Sequence, residues 1–164
     1  MTIHRVETPE WEVLRDIRLR ALADSPDAFG STLERELAFD EAMWRSRCVT
    51  STSYLAECDG VTCGLVAAFC PTGDSTETER SSLELVSMWV APQYRRRGIA
   101  AQLVNEVLEL ARREHAESVT LWVAEGNGAA GALYERLGFV RTGKTDGLPG
   151  RPEKCEEQMR FQVA

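Results

Sequence analysis

The segment Val90-Ala91-Pro92-Gln93-Tyr94-Arg95-Arg96-Arg97-Gly98-Ile99-Ala100 joins an apolar run to the first turn of a long amphipathic pattern, and it reads as a place for phosphate. A helix N-terminus offers unpaired N–H groups and about half a positive charge, and Gly98 and Ala100 leave the main chain uncovered to an approaching pyrophosphate. Arg95, Arg96 and Arg97 stand at the same point. No Gly-Lys-Ser/Thr follows and Gly-x-Gly-x-x-Gly is absent, which excludes the Walker loop and the dinucleotide fingerprint. A solvated basic turn before an ordinary helix is the competing account of these residues. Glu84 is a second chemical candidate. Alternation over Leu83 to Val90 puts it on the side of Val86, Met88 and Val90, where apolar surroundings would favour its protonated form. A solvated residue ahead of the strand is the alternative.

Positioning such groups takes a frame, and the hydrophobic pattern supplies one. Ile3 to Val6 predicts a strand, and Pro9 opens a helix with Trp11, Leu14, Ile17 and Ala21 at helical spacing, ending near Ser25-Pro26. Glu34 to Cys48 predicts a second helical region with Leu37, Trp44 and Cys48 on its buried side. Tyr54 to Cys58, Asp59-Gly60 and Val61 to Cys70 form a hairpin, because Asp-Gly tolerates the positive φ values of a tight turn. Pro71 to Ser82 is polar and reads as a mobile loop, and Leu83 to Val90 is a strand. Ile99 to Glu114 is amphipathic, with Leu103, Val104, Val107, Leu108 and Ala111 on one face. Val119 to Val123 is a strand, Asn127 caps a helix to about Leu137, and Gly138 stops it. Phe139 to Arg141 starts another strand, Gly143 to Pro152 reads as a loop, and Cys155 to Phe161 is the last strand.

The chain of 164 residues suits one core, with 43% hydrophobic and 27% charged residues. No apolar stretch reaches the ~18 residues of a membrane span. Met1 to Glu10 carries charges without an apolar signal core, so a cytoplasmic location is expected. Cys48, Cys58, Cys63, Cys70 and Cys155 lack Cys-x-x-Cys spacing and lie mostly in apolar runs, predicting buried free thiols and no metal site. A net charge of -7 disfavours nucleic acid as a partner.

Arg95-x-x-Gly98-x-Ala100, preceded by Val90-Ala91-Pro92, resembles the Arg/Gln-x-x-Gly-x-Gly/Ala signature of the GNAT acetyltransferase family. Asn127 to Phe139 is similar to that family's second block, Asn-x-x-Ala followed by hydrophobic-Tyr-Glu-x-hydrophobic-Gly-Phe. The resemblance implies a single-domain α/β fold: a mixed, mostly antiparallel sheet of about seven strands flanked by about four helices. It also implies an N-acetyltransferase using acetyl-CoA. By the same resemblance, main-chain groups of Met88, Trp89 and Val90 would pair with the pantetheine arm. The backbone of Arg95, Arg96, Arg97, Gly98, Ile99 and Ala100, with Ala101, would bind the pyrophosphate, and Asn127 would meet the cofactor farther along.

Attack by an amine needs a proton acceptor, because an aliphatic amine with pKa near ~10 is protonated at neutral pH. Glu84, four residues before Met88, matches the catalytic glutamate of histone-acetylating relatives, and a water relay is the other option. Tyr134 lies where the family places a tyrosine that protonates the departing sulfur, although a packed helix tyrosine would give the same sequence. Pro26 to Arg47, with Phe29, Glu34, Glu36 and Trp44, corresponds to the family's acceptor wall, and its acidic residues favour a cationic small-molecule amine. A protein N-terminus or lysine as acceptor, and a non-catalytic acyl-CoA-binding module, remain open alternatives, as does the choice between monomer and homodimer.

Overall fold

Asp59 and Gly60 both adopt positive φ, 52° and 76°, and so close the tight hairpin between β2 (Thr52–Cys58) and β3 (Val61–Phe69). The computed structural model of the chain describes residues 1–71, 82–148 and 151–164. Around that hairpin stand β1 (Thr2–Arg5), β4 (Ser82–Val90), β5 (Ser118–Ala124), β6 (Val140–Leu148) and β7 (Arg151–Gln162). They form one seven-stranded sheet in the order β1-β2-β3-β4-β5-β7-β6. Every neighbouring pair is antiparallel except β4 with β5. Among the described residues the α-helices are α1 (Trp11–Asp24), α2 (Leu33–Leu37), α3 (Glu41–Thr50), α4 (Ile99–Arg113) and α5 (Gly128–Arg136).

The sheet is packed on both faces. On one, Leu55, Leu65, Trp89 and Ala91 meet Leu14, Ile17, Ala21 and Leu22 of α1. On the other, Val66, Leu83, Leu85 and Val90 meet Leu103, Val104 and Val107, the fully buried stripe of α4. That stripe is the one the helical spacing predicts, and burying each Leu or Val contributes roughly 1.5–3 kcal/mol.

Four expectations are corrected. The region Glu34 to Cys48 is two helices instead of one, because Asp40 turns its side chain onto the N–H of Met43, 2.9 Å away, and starts α3 afresh. Leu37 therefore ends a short helix and is 61% exposed. Gly143 to Pro152 is mostly strand: Gly143, at φ 81°, takes up a register shift between Arg141 and Thr145, and β6 and β7 then continue to Leu148 and from Arg151. Cys58 and Cys63 are buried with their sulfurs 3.4 Å apart, but Cys70 and Cys155 are exposed. The predicted loop Pro71 to Ser82 lies, between residues 72 and 81, outside the described residues.

Gly64 tests the closeness of sheet and helix. A Cβ there would lie 3.0 Å from Leu103 Cδ1 and 3.3 Å from Ile99 Cγ2 and Ala56 Cβ. Gly64→Ala is expected to lower stability by about 1–3 kcal/mol. In thermal melts this reads as a fall in Tm of about 2–4 °C per kcal/mol for a chain of this size.

Candidate active site

The parallel pair β4–β5 is short. Ser82, Leu83 and Glu84 pair with Ser118, Val119 and Thr120, and no pairing continues beyond them. Each strand is held elsewhere, β5 by β7 from Ser118 to Ala124 and β4 by β3 up to Val90, so the two part and leave a gap between them. A bulge bends β4 inside this gap. Leu65 pairs with Trp89 and Ala67 with Val86, so Ser87 and Met88 together oppose Val66, with Ser87 at φ 59°. The bulge breaks the alternation assumed from sequence. Glu84 and Val86 share a face with Trp89 and Ala91, whereas Val90 and Met88 lie with the α4 core.

Past β4 the chain makes a 3₁₀ turn, Pro92–Tyr94, and enters α4 through two left-handed residues, Arg96 at φ 62° and Gly98 at φ 78°. Gln102 donates to the carbonyl of Gly98, and Arg95 donates to Pro92. Among the described residues, the N–H groups of Arg96, Arg97, Gly98, Ile99, Ala100 and Ala101 find no internal acceptor. No side chain caps this helix, and its first turn holds no acid. Consecutive free N–H groups in such a conformation make a concave anion site.

The Arg95 side chain does other work. Its Nε donates to the carbonyl of Val90 at 2.8 Å and its Nη2 to Asp24 Oδ2 at 2.5 Å. Trp89 Nε1 donates to the same oxygen at 2.9 Å, and hydrogen bonds from Ser25, Trp89 and Arg95 hold the Asp24 carboxyl below its usual range. Arg97 lies over the Tyr94 ring at 5.3 Å. Arg95 thus braces the loop against the end of α1, and Arg96 and Arg97 are exposed at its rim.

A cleft of about 840 Å³ runs from the gap between β4 and β5 to the helices α1, α2 and α3. Of the sequence-predicted residues, Glu84, Met88, Asn127 and Tyr134 line it, but Trp89 and Val90 do not. The Trp89 side chain is instead packed toward α1, and the Val90 carbonyl is occupied by Arg95. Asn127 caps α5, its Oδ1 accepting from the N–H of Ala130 at 3.4 Å. Tyr134, 5% exposed, packs edge-on against Phe139 at 5.6 Å between centroids. Its hydroxyl has no partner among the described residues, and burial pushes its pKa well above the usual tyrosine value. Near Glu84 lies Glu156 of β7, whose carboxyl is raised by burial and by the charges of Asp146 and Glu84.

The opposite wall is ionic. Arg18 Nε and Nη2 donate to the two oxygens of Glu36 at 3.0 and 2.9 Å, and Arg47 Nη1 and Nη2 donate to the same oxygens at 3.1 and 3.2 Å. Arg18 Nη1 also reaches Ser87 Oγ on the bulge, 3.1 Å away. Glu36 is fully buried, and although burial alone would raise its pKa, the two guanidinium groups hold it below the usual value. Glu34 is exposed and does not line the cleft.

Sequence reasoning missed Arg18, Arg47, Asp24 and Glu156. Arg18 carried a signal: it falls at helical spacing between Leu14 and Leu22, a charge on the core-facing stripe of α1. Asp24, Arg47 and Glu156 carried none, because their partners lie far away in sequence.

The profile of the Acetyltransferase (GNAT) family matches residues 11–139. N-acetylaspartate synthetase of Rattus norvegicus is 36% identical over 115 residues, which are 69% of this chain and only 36% of that longer protein. The structure of yncA from Salmonella typhimurium with its cofactor acetyl-CoA superposes with a TM-score of 0.77 at 19% identity, over 100% of this chain and 94% of that one. An acetyltransferase of the GNAT family from Streptococcus pneumoniae superposes with a TM-score of 0.81 at 19% identity, over 99% of each chain. At that identity the two structures show a common fold, and the match over residues 11–139 says more: this chain belongs to the Acetyltransferase (GNAT) family.

Proposed function

We propose that the chain is an acetyl-CoA-dependent N-acetyltransferase that acetylates a small-molecule amine by direct attack in a ternary complex. The observation carrying this reading is the row of free N–H groups from Arg96 to Ala101, set at the end of a strand that has parted from its neighbour. Six main-chain donors and an uncapped helix suit a pyrophosphate, and the gap beside β4 suits an extended amide-bearing arm. The residues present therefore fit acetyl-CoA, which supplies an activated acetyl thioester when bound.

The chain's own residues divide the remaining work. Main-chain groups of β4 beside the bulge, with Met88 in the cleft wall, hold the arm, and the side-chain amide of Asn127 reaches it from α5. Glu84, with Glu156 near it, takes the proton of the incoming ammonium. Tyr134 donates its phenolic proton to the departing sulfur. Its raised pKa keeps that proton in place across the neutral range, as an acid in this position requires. The five cysteines take no part and are free, in keeping with a reducing compartment such as the cytoplasm.

Calorimetry with acetyl-CoA, followed by thiol release against a panel of amines and short peptides, tests the reading. Absence of binding would sink it; binding without release for any amine would favour a non-catalytic acyl-CoA module, and release with peptides alone a protein acetyltransferase. Tyr134→Phe is expected to lower kcat by roughly 10²- to 10⁴-fold while leaving the KM for acetyl-CoA within about threefold. Ala101→Glu places a carboxylate in the first turn of α4, where it suits the helix dipole but repels a phosphate. Acetyl-CoA affinity should fall by roughly tenfold or more without loss of Tm.

Glu156 gives a pH test. Folded, it holds its proton to a higher pH than when unfolded, so ionising it costs stability as pH rises above the ordinary glutamate range. Glu156→Gln should therefore melt above the parent at pH 7, and the difference should vanish below about pH 4.

A further inference from the structure

The proposed reading leaves the acceptor undefined, and the wall of the cleft facing β4 narrows it. An ionised carboxylate offers about four acceptor positions, and Glu36 receives four hydrogen bonds from Arg18 and Arg47. No capacity remains on Glu36 for a substrate ammonium. The acidic residues that sequence alone assigned to cation recognition are thus withdrawn, one into this pairing and Glu34 onto the outer surface.

What this wall presents instead is donors. A guanidinium has five N–H groups. Arg47 uses two on Glu36, and among the described residues its other three have no acceptor. Phe39 and Trp44, with ring centroids 5.1 Å from it, hold its plane in position. Arg35, stacked on Phe39 at 6.0 Å, lines the same end of the cleft and makes no ion pair among the described residues. Ser31 Oγ, also in this wall, is shut off from solvent and bonded to nothing among the described residues. Three guanidinium groups against one carboxylate leave this end with an excess of positive charge. Glu84 and Glu156 give the opposite sign to the other end. Along β4, Ser87, which Arg18 reaches from this wall, and Glu84 are three residues or roughly 10 Å apart.

Resting on the acetyltransferase reading, we propose that the acceptor is an amine that also carries a carboxylate, an amino acid in the broad sense. Its carboxylate binds Arg47 and Arg35 at the helical end, and its ammonium faces Glu84 at the sheet end. Charge matching at both ends sets its orientation and directs the nitrogen toward the gap between β4 and β5. A polyamine would meet like charge at the helical end, and an amino-acid amide would leave the guanidinium donors without a partner, a loss that is large for charged groups.

The test compares kcat/KM for amino acids with their own primary amides, in pairs with the amine on the α-carbon and at the chain end, and for putrescine. The parent, Arg47→Gln, Arg47→Lys and Arg35→Gln are measured in parallel, with acetyl-CoA binding followed separately by calorimetry. The expected result is a preference for the acid over its amide of roughly 10- to 100-fold in at least one pair. That preference should collapse toward unity in Arg47→Gln and shrink in Arg35→Gln, an exposed position whose loss does not threaten folding. Arg47→Lys should keep part of it, and acetyl-CoA affinity should not change in any variant. Equal use of acids and amides, or preference for putrescine, with acetyl-CoA bound and turned over, overturns the acceptor inference and leaves the enzyme reading standing. Failure to bind acetyl-CoA overturns both.

Discussion

Two parallel strands that pair over three residues and then part impose the rest of this molecule. Main-chain polar groups inside a protein must find partners. The sheet meets that demand on the far edges of both strands, through β3 and through β7, and leaves it unmet between them. A cleft lined by strand edges is suited to a ligand that is itself chain-like, with amide groups to complete the ladder. β3 holds β4 as far as Val90 and Ala91, and beyond the gap the next turn opens onto solvent at the N-terminus of the long amphipathic helix α4. The gap and the anion site thus follow one another along the chain.

Helix α1 connects what the divergence separates. At its C-terminal end Asp24 holds Trp89 and Arg95, fixing the loop that follows β4. Six residues earlier, Arg18 reaches both the bulge at Ser87 and the buried carboxylate of Glu36. Between these two points Ala21 and Leu22 are buried against the sheet. A single rigid rod thus sets the distance between the region assigned to the cosubstrate and the wall assigned to the acceptor. A buried ion pair is weak evidence for stability, since desolvation offsets most of its attraction. The Arg18–Glu36–Arg47 cluster is better understood as fixing position.

Most of the frame was legible in the sequence, because its signals are local. Asp59-Gly60 selects its turn, the spacing of Leu103, Val104 and Val107 selects one face of α4, and Asn127 and Gly138 bound α5. The loop from Arg95 to Ala101 was legible as well, since its conformation depends on neighbouring residues. The errors fall where distant contacts decide. Alternation alone could not place the bulge at Ser87, which depends on Val66 across the strand pair, so the facing of Met88 and Val90 was misread. Nor could composition show that Glu36 faces two arginines from different helices, which together fill its acceptor positions.

The bulge also bears on how this strand can change through descent. Residues before and after Ser87 are read in opposite phase: Leu85 and Val90 share one core, Trp89 and Ala91 the other. Because Ser87 and Met88 together oppose Val66, losing one of them would close the bulge and leave Trp89 and Val90 on their present partners and faces. A single deletion or insertion in the regularly paired part of β4 would instead turn the side chains beyond it to the wrong face. The strand can therefore change length at the bulge without refacing either core, at the loss of the Ser87 hydroxyl that Arg18 reaches, whereas at position 87 itself the left-handed backbone confines exchange to residues such as Gly, Asn and Asp.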